Sequence, residues 1–178
     1  MAFINSQTVN IPAEAWIKKD TELQTIPTLT KEFSVSFNLW LKSFGPGFRN
    51  IVHLSKGTKT STIPSISVTK KKLNVAFPVS GPVKKLNFPV TVGQWTRVEV
   101  AQTKEGSDFL YTISIDNATV TSLVNTKPME YSDVTVYGSN PWAVAQAGKI
   151  QDLKITTKGS NWLFSFFDVE SRNADWFK

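Results

Sequence analysis

Five lysines grouped in a short part of the sequence are the first side chains whose chemistry suggests binding. Lys70, Lys71 and Lys72 are consecutive, and Lys84 and Lys85 lie in the segment that follows. Ammonium groups attract sulfate or phosphate as point charges, and added salt weakens that attraction. The five lysines are therefore a candidate polyanion site. A solvated hairpin tip that protects a sheet edge against aggregation is the alternative interpretation.

A second candidate combines aromatic and amide side chains. Tyr137, Asn140 and Trp142 lie close together in the sequence, and Arg49 follows a turn-forming Gly45-Pro46-Gly47-Phe48 segment. An exposed aromatic ring stacks on the apolar face of a sugar, while an amide binds the sugar's hydroxyl groups. The sequence therefore predicts a glycan-binding rim that Arg49 shares. A buried corner filled by Trp142 is the alternative.

The other reactive residue types argue against an enzyme. The chain has no cysteine, and His53 is the single histidine, so zinc in its usual forms and a Ser-His-Asp centre are poorly supported. Glycoside hydrolysis needs two carboxylates across a cleft. Glu99 is the only acid on a predicted inner strand, and Ala101 and Thr103 follow at plus two and plus four. We therefore predict no catalytic residues.

Calcium is the metal that the sequence leaves open, because it takes oxygen ligands from dispersed loops. Asp108, Asp116, Asn117 and Asp133 are the candidate donors, but they form no ligand run such as Asp-x-Asp-x-Asp. Side chains that cap turns are the simpler interpretation of these residues. We predict no cofactor and no bound metal.

The elements that must position these residues are strands. From Lys31 to Lys42 every second residue is apolar, which predicts a half-buried strand with an inner face of Phe33, Val35, Phe37, Leu39 and Leu41. The apolar positions change parity across Lys70–Lys72, which predicts a hairpin tip. Similar short runs predict about nine to eleven strands, typical of an all-β sandwich or barrel. Further strands are predicted at 51–54, 65–69, 73–77, 96–102, 111–115, 120–124, 134–137 and 151–156.

The two ends of the chain fit this pattern less well. The first ~25 residues are predicted to hold an extended strand and one helical turn over Pro12–Trp16, because Pro is tolerated at the first position of a helix. Large apolar side chains crowd the C-terminal end, and water is a poor environment for so many. We predict a sandwich domain over 1–158 and an aromatic extension over 159–178 that packs on it, with an oligomer contact as the alternative. The extension contains Trp162, Leu163, Phe164, Phe166, Phe167, Trp176 and Phe177.

Seven segments together carry a resemblance to a known family. The order and spacing of these segments, from about Lys31 to Thr157, resemble those of the laminin G-like and pentraxin-like branch of the concanavalin A-like lectin superfamily. The resemblance implies an antiparallel jelly-roll β-sandwich of 10 to 14 strands whose first and last strands are adjacent. It also implies binding of carbohydrate, heparin-like polyanion or protein. The Glu-x-Asp-x-x-Glu pattern of the related glucanases is absent around Glu99. The segments are Glu32–Phe37, Phe48–Leu54, Lys72–Val75, Gly93–Val100, Val136–Trp142, Ala147–Gly148 and Lys149–Ile155.

The charge and hydropathy of the chain limit the classes of partner that it is expected to bind. Lys and Arg outnumber Asp and Glu by 20 to 14, so the chain carries +6, which favours acidic partners. No window approaches the ~18 consecutive apolar residues of a membrane span. We predict a non-catalytic, secreted or extracellular binding module for a glycan or acidic polymer, and we do not expect nucleic acid as a partner. The alternative is a structural protein that self-assembles through the sandwich and the aromatic tail.

Overall fold

The computed structural model describes residues 6–11 and 13–159. Over these ranges the chain forms fourteen strands and no helix. The strands build two seven-stranded sheets that pack face to face. In chain order they are β1 (Ser6–Ile11), β2 (Ala15–Trp16), β3 (Glu22–Leu29), β4 (Glu32–Leu41), β5 (Arg49–Ser55), β6 (Ser65–Thr69), β7 (Lys72–Pro78), β8 (Val83–Pro89), β9 (Trp95–Glu105), β10 (Asp108–Ile115), β11 (Ala118–Asn125), β12 (Tyr131–Tyr137), β13 (Val144–Ala145) and β14 (Gly148–Lys158).

The strand order identifies the architecture. Sheet A has the order β1-β14-β4-β9-β10-β11, and β2 also pairs with β14. Sheet B has the order β3-β12-β5-β6-β7-β8, and β13 also pairs with β5. All of these pairs are antiparallel except the two-residue pairing of β13 with β5. The first and last described strands are adjacent, and the fold is the all-β jelly-roll sandwich that the sequence predicted.

The core lies between the sheets and follows the period-two pattern. The apolar side chains of β4 that were predicted to face inward are all buried, and Phe37, Leu39 and Leu41 have no exposed surface. Each such side chain contributes roughly 1.5–3 kcal/mol of hydrophobic stabilisation. Phe77 of sheet B stacks on Tyr111 of sheet A, with 4.0 Å between the ring centroids. This pair joins the two sheets directly.

Both turns that bear on the predicted sites have the expected form. Lys70 and Lys71 connect β6 to β7 with positive φ angles of 49° and 61°. Asp116 and Asn117 connect β10 to β11 with φ angles of 51° and 65°. Two consecutive residues with positive φ are the signature of the tight hairpin turn whose twist matches its strands. The hairpin tip predicted at the lysine triplet is confirmed, and Asp116 and Asn117 form a second one.

The predicted strand count and the N-terminal helical turn were wrong. Fourteen strands are present instead of nine to eleven, and Ala15–Trp16 pairs with β14 as a strand. Strand β3 contains Pro27 and β8 ends at Pro89, and neither strand is among those predicted. Both are edge strands of sheet B, where a proline need not cost a ladder hydrogen bond. Strand β14 ends at Lys158, and the predicted packing or oligomer contact of the aromatic extension concerns residues 160–178, which lie outside the described ranges.

Candidate glycan-binding site

A row of polar side chains crosses the outer face of sheet B. Ser67, Asn74 and Asn87 are directly opposite one another on β6, β7 and β8. The Asn74 Nδ2 donates to Asn87 Oδ1 at 3.0 Å, and the Ser67 Oγ donates to Asn74 Oδ1 at 3.4 Å. Opposed residues on neighbouring strands share one face of the sheet. The row therefore fixes amide and hydroxyl groups in place on that face.

Three of the five candidate lysines lie beside this row. We call the open depression of about 320 Å³ on this face the basic groove; it is lined by Thr69, Lys70, Lys72, Asn74, Lys85 and Asn87. Lys72 precedes Asn74 by two residues and Lys85 precedes Asn87 by two, so the strand period places all four side chains on one face. Of the residues described, none that lines the groove carries a carboxylate. The groove is consequently an electropositive surface with hydrogen-bonding groups along it.

The other two lysines are separated from the groove. Lys71 is the second residue of the hairpin turn and is exposed without lining the groove. Lys84 is opposite Phe77, whose side chain is fully buried, so Lys84 belongs to the core-facing side of the edge strand β8, where it remains exposed. An inward-facing charge on an edge strand discourages pairing with another chain. The predicted five-lysine site thus divides into three groove lysines and two outside it.

The structure corrects the predicted exposure of the aromatic rim. Tyr137 and Asn140 are buried, with 8% and 5% of their surfaces exposed, and Trp142 is half-buried. The Asn140 Oδ1 accepts from the Trp142 backbone N at 3.1 Å, and the Asn140 backbone N donates to Asn50 Oδ1 at 2.9 Å. The amide that was expected to face a sugar therefore holds its own loop on the sheet.

Trp142 closes this corner by packing on two rings. Its ring centroid lies 5.7 Å from that of Tyr137 and 5.9 Å from that of His53, in edge-to-face geometry. Arg49 lies beside the same loop, because Val144 pairs with it, and its Nε donates to Pro46 O at 3.1 Å. The structure brings the four rim residues to one end of sheet B, and glycan binding by them stays a prediction.

His53 has a structural environment. Its Nε2 lies 2.9 Å from the Ser61 carbonyl oxygen, which only accepts, so Nε2 carries the proton. Its Nδ1 is buried without a hydrogen-bond partner among the described residues. Burial lowers the pKa of His53 below its usual value, and the hydrogen bond to Ser61 opposes part of that shift. A neutral ring that ties the loop after β5 to sheet B accounts for this geometry.

The candidate calcium donors lie in separate parts of the fold. Asp116 Oδ1 accepts from the Arg97 backbone N at 2.8 Å, which ties the β10–β11 turn to β9. Asp108 lies at the opposite end of β10, and Asp133 belongs to β12 in the other sheet. Across residues 6–11 and 13–159, no three acidic, histidine or cysteine side chains come together as a metal-binding group. The expectation of no bound metal stays a prediction.

Sequence reasoning missed the polar half of the groove. Thr69, Asn74 and Asn87 carry no charge and form no motif, and strand β8 was not predicted, so nothing placed Asn87 opposite Asn74. The usable signal was the polar face of β7, on which Lys72 and Asn74 alternate with the buried Leu73 and Val75.

Comparisons with known proteins identify the fold. No protein-family model and no curated protein sequence matches the chain. A native heptameric SAP-like pentraxin from Limulus polyphemus matches with a TM-score of 0.57 and 15% identity, over 80% of this chain and 74% of the pentraxin. The receptor-binding domain of botulinum neurotoxin type G matches with a TM-score of 0.57 and 11% identity, over 89% of this chain and 44% of that domain.

A third similar structure is an enzyme. Trypanosoma rangeli sialidase matches with a TM-score of 0.52 and 9% identity, over 70% of this chain but only 20% of the sialidase. The chain therefore spans less than half of the toxin domain and a fifth of the sialidase. At these identities the likeness shows the fold alone, an antiparallel jelly-roll β-sandwich. Within the described ranges there is also no helix long and apolar enough to cross a bilayer.

Proposed function

We propose that this chain is a non-catalytic, extracellular binding module for acidic glycans, and that the basic groove holds the sulfate or carboxylate groups of the ligand. The observation that carries the proposal is the composition of the groove: ammonium groups of Lys70, Lys72 and Lys85 beside the amides of Asn74 and Asn87. Ammonium groups attract the anionic substituents, and the exposed Asn87 amide and the Thr69 hydroxyl suit the ring hydroxyls. The buried Asn74 amide holds Asn87 in place.

The shape of the groove supports a chain-like ligand. Pockets for small molecules are enclosed and mostly apolar. The basic groove is open and crosses the last strands of sheet B, so a polymer can lie across it. Exposed ion pairs contribute only about 0–1 kcal/mol each, and salt screens them. We therefore expect modest affinity that depends on several contacts and falls steeply with ionic strength.

The names of the similar structures agree with a binding role. One is a toxin domain named for receptor binding, and another is a SAP-like pentraxin. The sialidase match covers only a fifth of that enzyme, so it offers little support for a shared activity. The proposal itself rests on the groove, since fold does not determine function.

Heparin chromatography with matched double variants tests the proposal. Lys72→Gln with Lys85→Gln removes two groove charges, and Lys71→Gln with Lys84→Gln removes two charges from the same hairpin region outside the groove. We expect the groove variant to elute at clearly lower salt and the control variant to elute close to the parent. Equal shifts for the two variants would mean that net charge governs retention, and the groove assignment would be wrong.

A further inference from the structure

Three tryptophans and one lysine form a row on the outer face of sheet A. Trp16 on β2 is opposite Lys149 on β14, Lys149 is opposite Trp40 on β4, and Trp40 is opposite Trp95 on β9. We call these four residues the tryptophan row. At about 4.8 Å between strands, it spans roughly 14 Å across four adjacent strands. It is assembled entirely from long-range pairings.

The tryptophan row faces outward. The residues that alternate with it are buried, including Ala15, Leu39, Thr96 and Ile150, so the strand period directs the row away from the core. Trp16 is 48% exposed and Trp95 is 42% exposed. Scattered exposed apolar residues are normal, but a contiguous aromatic patch with a polar rim marks an interaction surface.

Neighbouring contacts order the part of the row formed by Trp16, Lys149 and Trp40. The Trp16 and Trp40 ring centroids are 6.3 Å apart in edge-to-face geometry, and the Lys149 Nζ lies 4.8 Å from the centroid of the Trp16 ring. The Ile17 backbone N donates to Gly148 O at 3.0 Å, and the Gly93 backbone N donates to Leu41 O at 2.8 Å. A surface that is already ordered loses little entropy when a ligand binds.

The charge of the row is nearly balanced. Glu14 forms a salt bridge with Lys149, so the ammonium between the two indole rings is compensated. Lys42, with its Nζ 6.0 Å from the Trp16 ring centroid, is the remaining nearby cation among the described contacts of that ring. The basic groove, by contrast, has three lysines and no carboxylate among its described lining residues. An uncharged ligand therefore complements the row better than a polyanion does.

We infer that the tryptophan row is a second binding site, which takes the pyranose rings of an uncharged glycan chain. The exposed indole rings offer apolar surface for the C–H faces of the sugar. The Lys149–Glu14 pair offers a donor and an acceptor for sugar hydroxyls at the same place. The row belongs to sheet A and the groove to sheet B, so the inference does not depend on the proposed function.

Calorimetric titration with neutral hexaoses tests the inference. The probes are cellohexaose and chitohexaose, whose β-linked rings expose apolar faces. We expect at least one hexaose to bind the parent protein, and Trp16→Ala or Trp95→Ala to weaken that binding by about tenfold or more, as for an aromatic hot spot. Val124→Ala is the matched control, because Val124 is 49% exposed on β11 of the same sheet. We expect it to bind like the parent.

Two further measurements separate this site from the groove and from a lipid surface. Trp16→Ala and Trp95→Ala should keep the parent's retention on heparin, and the Lys72→Gln, Lys85→Gln variant should keep hexaose binding. Failure of both hexaoses to bind the parent would overturn the inference without touching the groove. Loss of binding to vesicles of phosphatidylserine and phosphatidylcholine in the tryptophan variants, with no hexaose bound, would instead assign the row to membrane contact and also overturn it.

Discussion

The outer faces of the two sheets differ in the chemistry that they concentrate. On sheet B, Lys70, Lys72 and Lys85 surround amide groups with no carboxylate among the described lining residues. On sheet A, Trp16 and Trp40 flank a lysine that Glu14 compensates, and Trp95 continues the row on the next strand. Both surfaces come from residues placed opposite one another by strand register. One scaffold therefore presents a charged surface and a nearly neutral aromatic surface on opposite sides, and each can be disrupted separately.

The largest effect on stability is expected from a substitution in the core between the two sheets, because both outer faces depend on that packing. Phe77→Ala removes the ring that stacks on Tyr111 between the sheets, and a large-to-small change in a packed core costs about 3–5 kcal/mol. Urea unfolding measures this loss, and heparin and hexaose binding should fail together as the protein unfolds. Phe48→Ala is the control, because Phe48 is 47% exposed and should change stability by less than about 0.5 kcal/mol. A loss below about 1 kcal/mol for Phe77→Ala would contradict this role of the pair.

A change at Gly148 should damage one face only. A Cβ at this position would collide with the Trp40 carbonyl oxygen, which is backbone and has no easy escape. We expect Gly148→Ala to cost about 1–3 kcal/mol through local displacement of β14 against β4, as overpacking does. Hexaose binding should weaken while heparin retention stays at the parent value. Ala147→Ser, at the exposed neighbouring position, should change neither readout.

Substitution of the groove amides is expected to have a smaller effect on the free energy of unfolding. Asn74 is 6% exposed and bridges Ser67 to Asn87, so Asn74→Ala leaves neighbouring polar groups without their partner at a cost of about 1–2 kcal/mol. Asn87 is exposed, and Asn87→Ala should stay within about 0.5 kcal/mol of the parent. Both variants should elute earlier from heparin and keep hexaose binding. Unchanged elution of both variants would show that the two amides do not contribute to glycan binding.

The sequence predicts the inner faces of the long strands well. Every inner position of strand β4 is buried, whereas its outer positions are only partly buried, with the exception of the buried Ser36. Strand β8 escapes prediction because Pro89 is interpreted as a break, although an edge strand tolerates it, and β3, which contains Pro27, is likewise not predicted. Ala15–Trp16 forms a strand because β14 offers it backbone partners, a tertiary effect that outweighs the local preference after Pro12.

The sites are less predictable than the fold because each depends on register. The groove lysines are visible as a charge run, but only the pairing of β7 with β8 shows that Lys85 joins the groove and that Lys84 does not. Trp40 and Trp95 are more than fifty residues apart in the chain and directly opposite in the sheet. No spacing rule in the sequence connects such residues, so the tryptophan row becomes apparent only in three dimensions.

The smallest expected effect comes from protonation of His53, the buried imidazole beside Trp142 on sheet B. Because burial lowers the folded-state pKa of His53, the folded protein favours the neutral ring, while the unfolded chain titrates near 6.5. The neutral His53 ring therefore makes its full contribution to the free energy of unfolding above pH ~6.5, and this contribution is lost as the pH falls through the folded-state pKa. The melting temperature should decline gradually from pH 7 towards pH 5 in the parent protein. His53→Gln, which has no proton to gain in this range, should show a flatter profile even if its stability at pH 7 is lower.

Trp142 packs against His53, so the loop around Trp142 should lose amide-exchange protection at pH 5 before the strands of the tryptophan row do. Parallel pH profiles for the parent and the variant would show that His53 is not the group responsible.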